Sequence, residues 1–194
     1  MIWVIVAIAV VLVLLAAVFV ARQRRSQQLR EGFGPEYERV LAERGDQRAA
    51  EAELAERRER RDSFEIRELE PSLRADYLER WRWTQRRFVD EPTVAAGEAD
   101  RLVTEVMHDR GYPVDEKFEQ RAADVSVDHP LVVENYRAAH AISLRAERGQ
   151  ASTEDLRQAV VHFRALFDEL LDPEDQSQRA QDRGDATSTK TARR

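Results

Sequence analysis

The amino-acid sequence predicts an all-α protein with an N-terminal transmembrane helix, a charged spacer helix, and a compact bundle of about four amphipathic helices. Three observations predict this architecture. Residues 2–21 carry no charged or polar side chain. Good helix formers dominate the rest of the chain, which holds seven glycines and six prolines. Beyond residue 71, apolar residues recur at steps of three and four, as one buried helix face requires.

The apolar N-terminal run is long enough to cross a bilayer, because twenty helical residues rise about 30 Å. It begins at Ile2, directly after Met1, so the basic region of a cleaved signal peptide is missing. It ends over Phe19 to Ala21 without a small-x-small exit, and we therefore expect an uncleaved anchor whose partner is the lipid bilayer. Trp3 suits an interfacial aromatic residue and equally suits one more apolar residue of the span.

Basic residues flank this run on its carboxyl side only. The cluster consists of Arg22, Arg24, Arg25 and Arg30. By the positive-inside rule, it predicts a single-pass protein of the cell membrane with its N-terminus outside and its C-terminal domain in the cytoplasm. The alternative is an exported cell-envelope protein with the same bundle outside the membrane, because the rule describes a bias.

Residues 31–62, after the anchor and its basic flank (1–30), are predicted to form a charged helical spacer. Breaks are expected at Gly32 to Pro35 and at Gly45-Asp46, where a helix stops and Asp46 caps the next. From 47 to 62 the only apolar residues are alanines and Leu54. We expect this helix to be solvated; a coiled-coil or partner-binding role is the alternative, although sustained heptads are missing.

Residues 63–172 are predicted to form the helical bundle around a single core. After an extended connector, four main helices are expected to begin near Ser72, Pro92, Asp128 and Ser152, with a short helical piece before the third. The last helix has the most regular apolar stripe, formed by Leu156, Ala159, Val160, Phe163, Leu166, Phe167, Leu170 and Leu171. Residues 173–194 lack aromatic and large aliphatic side chains and are expected to be disordered.

Composition excludes several classes of site. With no cysteine, the chain has no disulfide, thiol chemistry or thiolate metal site. Residues 63–171 carry 22 acidic and 15 basic side chains, a net charge of −7 that opposes nucleic acid and anionic lipid alike. Phosphate-binding loops, nucleophile elbows and kinase signatures are missing. We expect no enzymatic activity, no cofactor and no small-molecule substrate.

A small enzyme or metal-binding bundle is the alternative from a different functional class. Glu105 and His108 match a glutamate-x-x-histidine motif of di-iron bundles once, whereas such a site needs the motif twice. His140 suits a partly buried bundle histidine, and His129 beside Asp128 suits helix capping. This alternative requires Glu105, His108 or His140 to converge in one pocket.

Trp83 is the best candidate for contact with a protein partner, because it lies off the apolar stripe of its helix. Its structural alternative is packing beneath the connector at Phe64. The sequence therefore favours a membrane-tethered interaction or structural module whose partner it does not identify.

Several segments carry a resemblance to other proteins. They are Phe33-Gly34-Pro35-Glu36-Tyr37, Arg87-Phe88-Val89-Asp90-Glu91-Pro92, Glu98-Ala99-Asp100-Arg101-Leu102-Val103 through Arg110-Gly111-Tyr112-Pro113, and Ser126-Val127-Asp128-His129-Pro130. In these segments the chain resembles an uncharacterised group of bacterial helical proteins, membrane-anchored or secreted, that have an N-terminal hydrophobic segment. The resemblance implies a bacterial source, but no activity, cofactor or active residue.

Overall fold

The computed structural model describes residues 2–171, excluding the side chains of Ile2, residues 4–12, Leu14 and Val18. The described part is all-helical and has no strand, so the all-α prediction is confirmed. Its helices are α1 (Ile2–Phe33), α2 (Pro35–Arg44), α3 (Gln47–Asp62), α4 (Pro71–Arg87), α5 (Pro92–Arg110), α6 (Phe118–Asp128), α7 (Val133–Glu147) and α8 (Thr153–Leu171). The predicted disordered tail, 173–194, lies outside the described residues.

Local sequence signals set most helix ends where we expect them. Pro35 and Pro92 begin their helices, where a missing N–H leaves no hydrogen bond unmade. Asp46 caps α3 by accepting a hydrogen bond from the backbone N of Ala49 at 2.9 Å. Before α8, the Ser152 backbone N donates to Asp155 at 2.8 Å, and the Asp155 backbone N donates to the Ser152 hydroxyl at 3.1 Å.

The prediction that Asp128 caps the third main helix is wrong. Asp128 is the last residue of α6, and the next helix, α7, begins at Val133. Its carboxylate instead accepts hydrogen bonds from the Arg61 guanidinium at 2.7 Å and from the Tyr112 hydroxyl at 2.5 Å. Two charged or polar partners from distant segments therefore hold the group that the sequence assigned to a local cap.

The main hydrophobic core lies among α4 to α8. All eight apolar residues predicted for the last stripe are buried on α8, which packs against α5 and α7. Trp81 of α4 is fully buried and stacks on Phe167, with 4.4 Å between ring centroids. The bundle of amphipathic helices is therefore confirmed, with α6 as a further member. The connector before α4 is irregular and packs Phe64 against this core.

A second hydrophobic core joins the end of α1 to α2 and α3. Its buried residues are Leu29, Phe33, Tyr37, Val40, Ala50 and Leu54. The predictions of a single core and of a solvated helix at 47–62 are therefore wrong. Ala50 and Leu54 lie one helical turn apart, so they share the face by which this otherwise polar helix enters the second core.

Helices α1, α2 and α3 form an up-down-up arrangement. Glu36 near the start of α2 pairs with Arg57 late in α3, so these two helices are antiparallel. The Gln47 amide donates to the Ser26 hydroxyl at 3.2 Å, and the Arg58 guanidinium lies 5.7 Å from the centroid of the Phe33 ring. Helix α3 therefore runs parallel to the end of α1, and the spacer folds back on itself.

Among the side chains that the structure describes, none of the helices has the length and apolar character needed to cross a membrane. Much of the predicted anchor, including Ile2 and residues 4–12, has side chains outside the described set. Its backbone is one continuous helix with residues 22–33.

Gly97, within α5, and Gly111, at its C-cap, provide a matched test of how closely the connector packs against the end of α5. A Cβ at Gly111, which has φ +98°, would lie 2.3 Å from the backbone O of Glu65, whereas a Cβ at Gly97 would meet open space. We expect Gly111→Ala to lower the free energy of unfolding by at least about 2 kcal/mol, from strain and overlap. Gly97→Ala should raise it by about 0.5–1 kcal/mol. Denaturant unfolding of both variants would measure this, and equal effects would contradict the close approach.

Candidate functional site

A surface groove between α4 and α5 surrounds the predicted contact residue Trp83. The groove encloses about 320 Å³ and is lined by Arg80, Trp83, Thr84, Glu98, Arg101, Leu102 and Glu105. The sequence left open whether Trp83 is exposed or packs beneath the connector at Phe64. Its ring is accessible, with 49% of the residue exposed. Buried Thr84 and Leu102 form the floor beneath it. Trp83 therefore presents an aromatic surface at the edge of a small concavity.

Ion pairs between α4 and α5 hold the groove in shape. The Arg80 guanidinium donates to Glu105 at 2.5 Å, and the Arg87 guanidinium donates to Glu98 at 2.5 Å. Arg87 also lies over Trp83, 5.1 Å from the ring centroid, where the cation is attracted by the π face. These contacts restrict the ring, and a restricted ring would lose less entropy if it bound a partner.

The groove combines the residue types that dominate protein contacts. Tryptophan and arginine are enriched among the residues that carry most binding energy, and Trp83 has two exposed or half-buried arginines beside it, Arg87 and Arg101. Arg101 forms no ion pair within the described part of the chain. The groove therefore offers one apolar ring and one cation not already engaged, which suits an acidic-apolar protein segment better than a basic one.

A different polar centre lies on the buried side of α2. The Glu36 carboxylate is 2% exposed and accepts hydrogen bonds from three arginines. Arg57 donates at 2.7 Å, Arg137 at 2.8 and 2.9 Å, and Arg39 at 3.0 and 3.1 Å. These arginines belong to α3, α7 and α2, so one carboxylate joins three helices.

The charge state of Glu36 follows from these contacts. Burial alone raises a carboxyl pKa, but the hydrogen bonds from Arg39 and Arg137, followed by Arg57, outweigh burial and hold the pKa of Glu36 at about 2. The carboxylate is therefore ionised at neutral pH with its acceptor sites occupied. It cannot act as a general acid or base there, so we interpret it as a structural centre.

The sequence contained a usable signal for this centre. Glu36 lies within Phe33-Gly34-Pro35-Glu36-Tyr37, where Gly34 has φ +46° and Pro35 starts α2. This turn sets where α2 begins, and Glu36 is the second residue of that helix. The partner Arg137 lies 101 residues away in the chain, and sequence reasoning had no means to choose it among 31 basic residues.

The groups of the small-enzyme alternative have separate partners. Glu105 accepts from Arg80 in the groove, and exposed His108 bonds Asp109 at 3.1 Å. His140 stacks on Phe118, with 3.6 Å between ring centroids. The described contacts thus give no common site for these side chains. Within residues 2–171, outside the side chains named above, no cluster of three or more histidine or carboxylate groups is arranged to hold a metal.

Burial shifts the pKa values of two groups beside that stack, His140 and Asp100. Desolvation lowers the pKa of His140, although the Asp100 charge opposes this change. Desolvation likewise raises the pKa of Asp100, with His140 opposing. Both groups are shifted toward their neutral forms, as the low-polarity edge of a bundle requires. The prediction of a partly buried His140 is confirmed. His129 is 4% exposed and stands at the C-cap of α6, where its backbone N–H donates to the Val125 carbonyl at 2.9 Å, while its ring lies 3.5 Å from Glu169.

The residues predicted to set anchoring and topology lie on the described surface of α1. Trp3 and Phe19 are 86% and 68% exposed, and Ala21 is exposed, while the Ile2 side chain lies outside the described set. The arginines that follow are also exposed: Arg22, Arg24, Arg25 and Arg30. Of these, Arg30 lies 3.5 Å from Glu38.

Glu36→Gln tests the structural centre. Removing one member of a buried charge cluster leaves the arginines uncompensated, and we expect the free energy of unfolding at pH 7 to fall by about 3 kcal/mol. Glu38→Gln is the matched control on the same helix, since its exposed pair with Arg30 should contribute no more than about 0.5 kcal/mol.

The same pair of variants has a distinct pH dependence. The lowered folded-state pKa means that the stability from Glu36 is complete above its ordinary pKa of 4.5 and is lost as the pH falls toward about 2. Wild type and Glu38→Gln should therefore lose about 3 kcal/mol more than Glu36→Gln over this interval. Parallel curves from denaturant unfolding at each pH would contradict the role of Glu36.

Comparisons with known protein families, with curated proteins and with solved structures find no match to this chain.

Proposed function

We propose that the chain is a single-pass membrane-anchored protein that holds a helical protein-interaction module at a bacterial cell membrane. The observation that carries the proposal is the apolar surface of α1. Five large apolar side chains of this helix are 45–86% exposed: Trp3, Val13, Leu15, Phe19 and Val20. Covering each of them is worth about 1.5–3 kcal/mol, and a bilayer covers a helix on every side.

The sequence around these residues supports a bilayer as the covering medium. Residues 2–21 are free of charge, and three arginines follow within the next four positions. An apolar helix followed by a basic flank is the pattern that directs insertion with the carboxyl side in the cytoplasm. In this arrangement the second core, beginning at Leu29, lies about 12 Å beyond Ala21 along the helix axis.

The groove at Trp83 supports the interaction part of the proposal. Trp83 is large, half-exposed and held by Arg87, and the shallow concavity beside it suits an inserted side chain better than an enclosed small molecule. The polar centre at Glu36 is saturated by arginines and supports a scaffolding role. The proposed module is therefore neither an enzyme nor a nucleic-acid-binding protein, and its partner is another protein.

Topology can be tested with single cysteines, because the natural chain contains none. Leu131 is 70% exposed, and we expect Leu131→Cys to resist a membrane-impermeant maleimide in intact spheroplasts and to react after permeabilisation. The protein should also stay with membranes through alkaline carbonate extraction. Labelling in intact spheroplasts would indicate the exported arrangement, and release by carbonate would contradict anchoring.

The contact surface can be tested by placing a photo-crosslinking phenylalanine analogue at position 83 in native membranes. We expect a discrete protein adduct there and none from the same analogue at Val161, an exposed residue of α8. Trp83→Ala should change the free energy of unfolding by less than about 1 kcal/mol, because the ring is half-exposed. Equal adduct patterns at both positions would contradict a specific surface at Trp83.

A further inference from the structure

The turn between α2 and α3 lies close to the carboxyl end of the proposed anchor. Gln47 at the start of α3 is hydrogen-bonded to Ser26 of α1, side chain to side chain, at 3.2 Å. Ser26 is five residues beyond Ala21, which is about 7.5 Å along the helix axis. The headgroup layer of a bilayer extends roughly 5–7 Å beyond the hydrocarbon. The turn at Gly45-Asp46 therefore comes to the level of the headgroup surface.

The charges at this end of the protein are mostly positive. Residues 22–28 and 42–49 together contain five arginines and two acidic residues, a net charge of +3. The five are Arg22, Arg24, Arg25, Arg44 and Arg48, and all are exposed. The two acids are engaged locally, since Glu43 pairs with Arg39 and Asp46 caps α3. Two further acids lie just beyond these segments, where Glu51 accepts from Gln47 and Glu53 pairs with Arg44. Arg48 forms no ion pair within the described part of the chain.

The rest of the domain carries the opposite charge. Residues 63–171 have a net charge of −7, from 15 basic and 22 acidic side chains. A surface of anionic lipid attracts the basic end and repels the bundle, and both forces act within about a Debye length of 8–10 Å. Because α1 is packed against α2 and α3 through Leu29 and Phe33, the domain cannot swing freely to change which end approaches the bilayer.

We propose that the α2–α3 turn and the start of α3 form a lipid-contacting base, in which Arg48 binds the phosphate headgroups of anionic lipids while Arg44 beside it pairs with Glu53. The proposal rests on the proposed anchoring of α1. It replaces the predicted charged helical spacer with a domain that stands directly on the bilayer, basic end down. The ligand of this base is the anionic membrane surface itself, because α1 places the base against that surface.

Two single-cysteine variants on α3 test the proposal in the full-length protein reconstituted into vesicles. Ala49 and Asp62 are exposed and lie thirteen residues apart, about 20 Å along a helix parallel to α1. Each carries a fluorophore, and phosphatidylcholine with a nitroxide on its headgroup is the quencher. We expect quenching at Ala49→Cys to exceed that at Asp62→Cys by at least about threefold, and to increase when phosphatidylglycerol is added.

Charge reversal supplies the specific control. Arg48→Glu should remove the increase caused by phosphatidylglycerol, whereas Arg86→Glu, the same charge change at an exposed site on α4, should preserve it. Equal quenching at the two labels, or the same response in both charge variants, would overturn the lipid-contacting base while leaving the anchor intact. Failure of the unlabelled protein to float with vesicles of either composition would overturn the anchoring as well.

Discussion

The arrangement of the helices depends on the buried carboxylate of Glu36. Arg57 and Arg137 bind it from α3 and α7, so the N-terminal helices and the main bundle share one charge cluster. A buried carboxylate leaves water only when its acceptor sites are filled, which sets the distance and rotation of every helix that supplies a donor. Hydrophobic packing in the two cores stabilises the parts, whereas this cluster and the pairs of Arg60 with Asp124 and Arg61 with Asp128 specify how the parts meet.

Periodicity and capping predicted the elements well, because both depend on neighbours in the sequence. The stripe of α8, the stop at Gly111 and the cap at Asp46 follow from residues within one or two turns of each other. The docking of α3 was missed because alanines give little hydrophobic signal, although Ala50 is fully buried against larger neighbours. Asp128 was misassigned because its partners, Arg61 and Tyr112, are distant in sequence. Trp83 could be selected from its position off the apolar stripe of α4. The ion pairs between α4 and α5 that border it could not be predicted from the sequence.

The two proposed roles, membrane anchoring and partner recognition, would place different demands on the same chain. The proposed anchor needs an apolar surface that a bilayer covers, while the groove at Trp83 needs an apolar ring that stays accessible in water. The Arg87 guanidinium lies over that ring and pairs with Glu98, so polar groups border the ring. The groove therefore presents a single aromatic group without a large apolar patch. The burial of Leu29 and Phe33 separates the two surfaces, since the chain passes directly from exposed helix into a packed core.

The unbroken course of α1 from Ile2 to Phe33 has a geometric consequence. Each α-helical residue turns the chain by about 100° and advances it by 1.5 Å. If α1 spans a membrane as proposed, the number of residues between Ala21 and Leu29 therefore determines the direction in which the domain faces within the membrane plane. Adding or removing one residue there would change its height only slightly, but would point Trp83 toward a different neighbour. The length of this segment therefore affects the orientation of the domain more than its height.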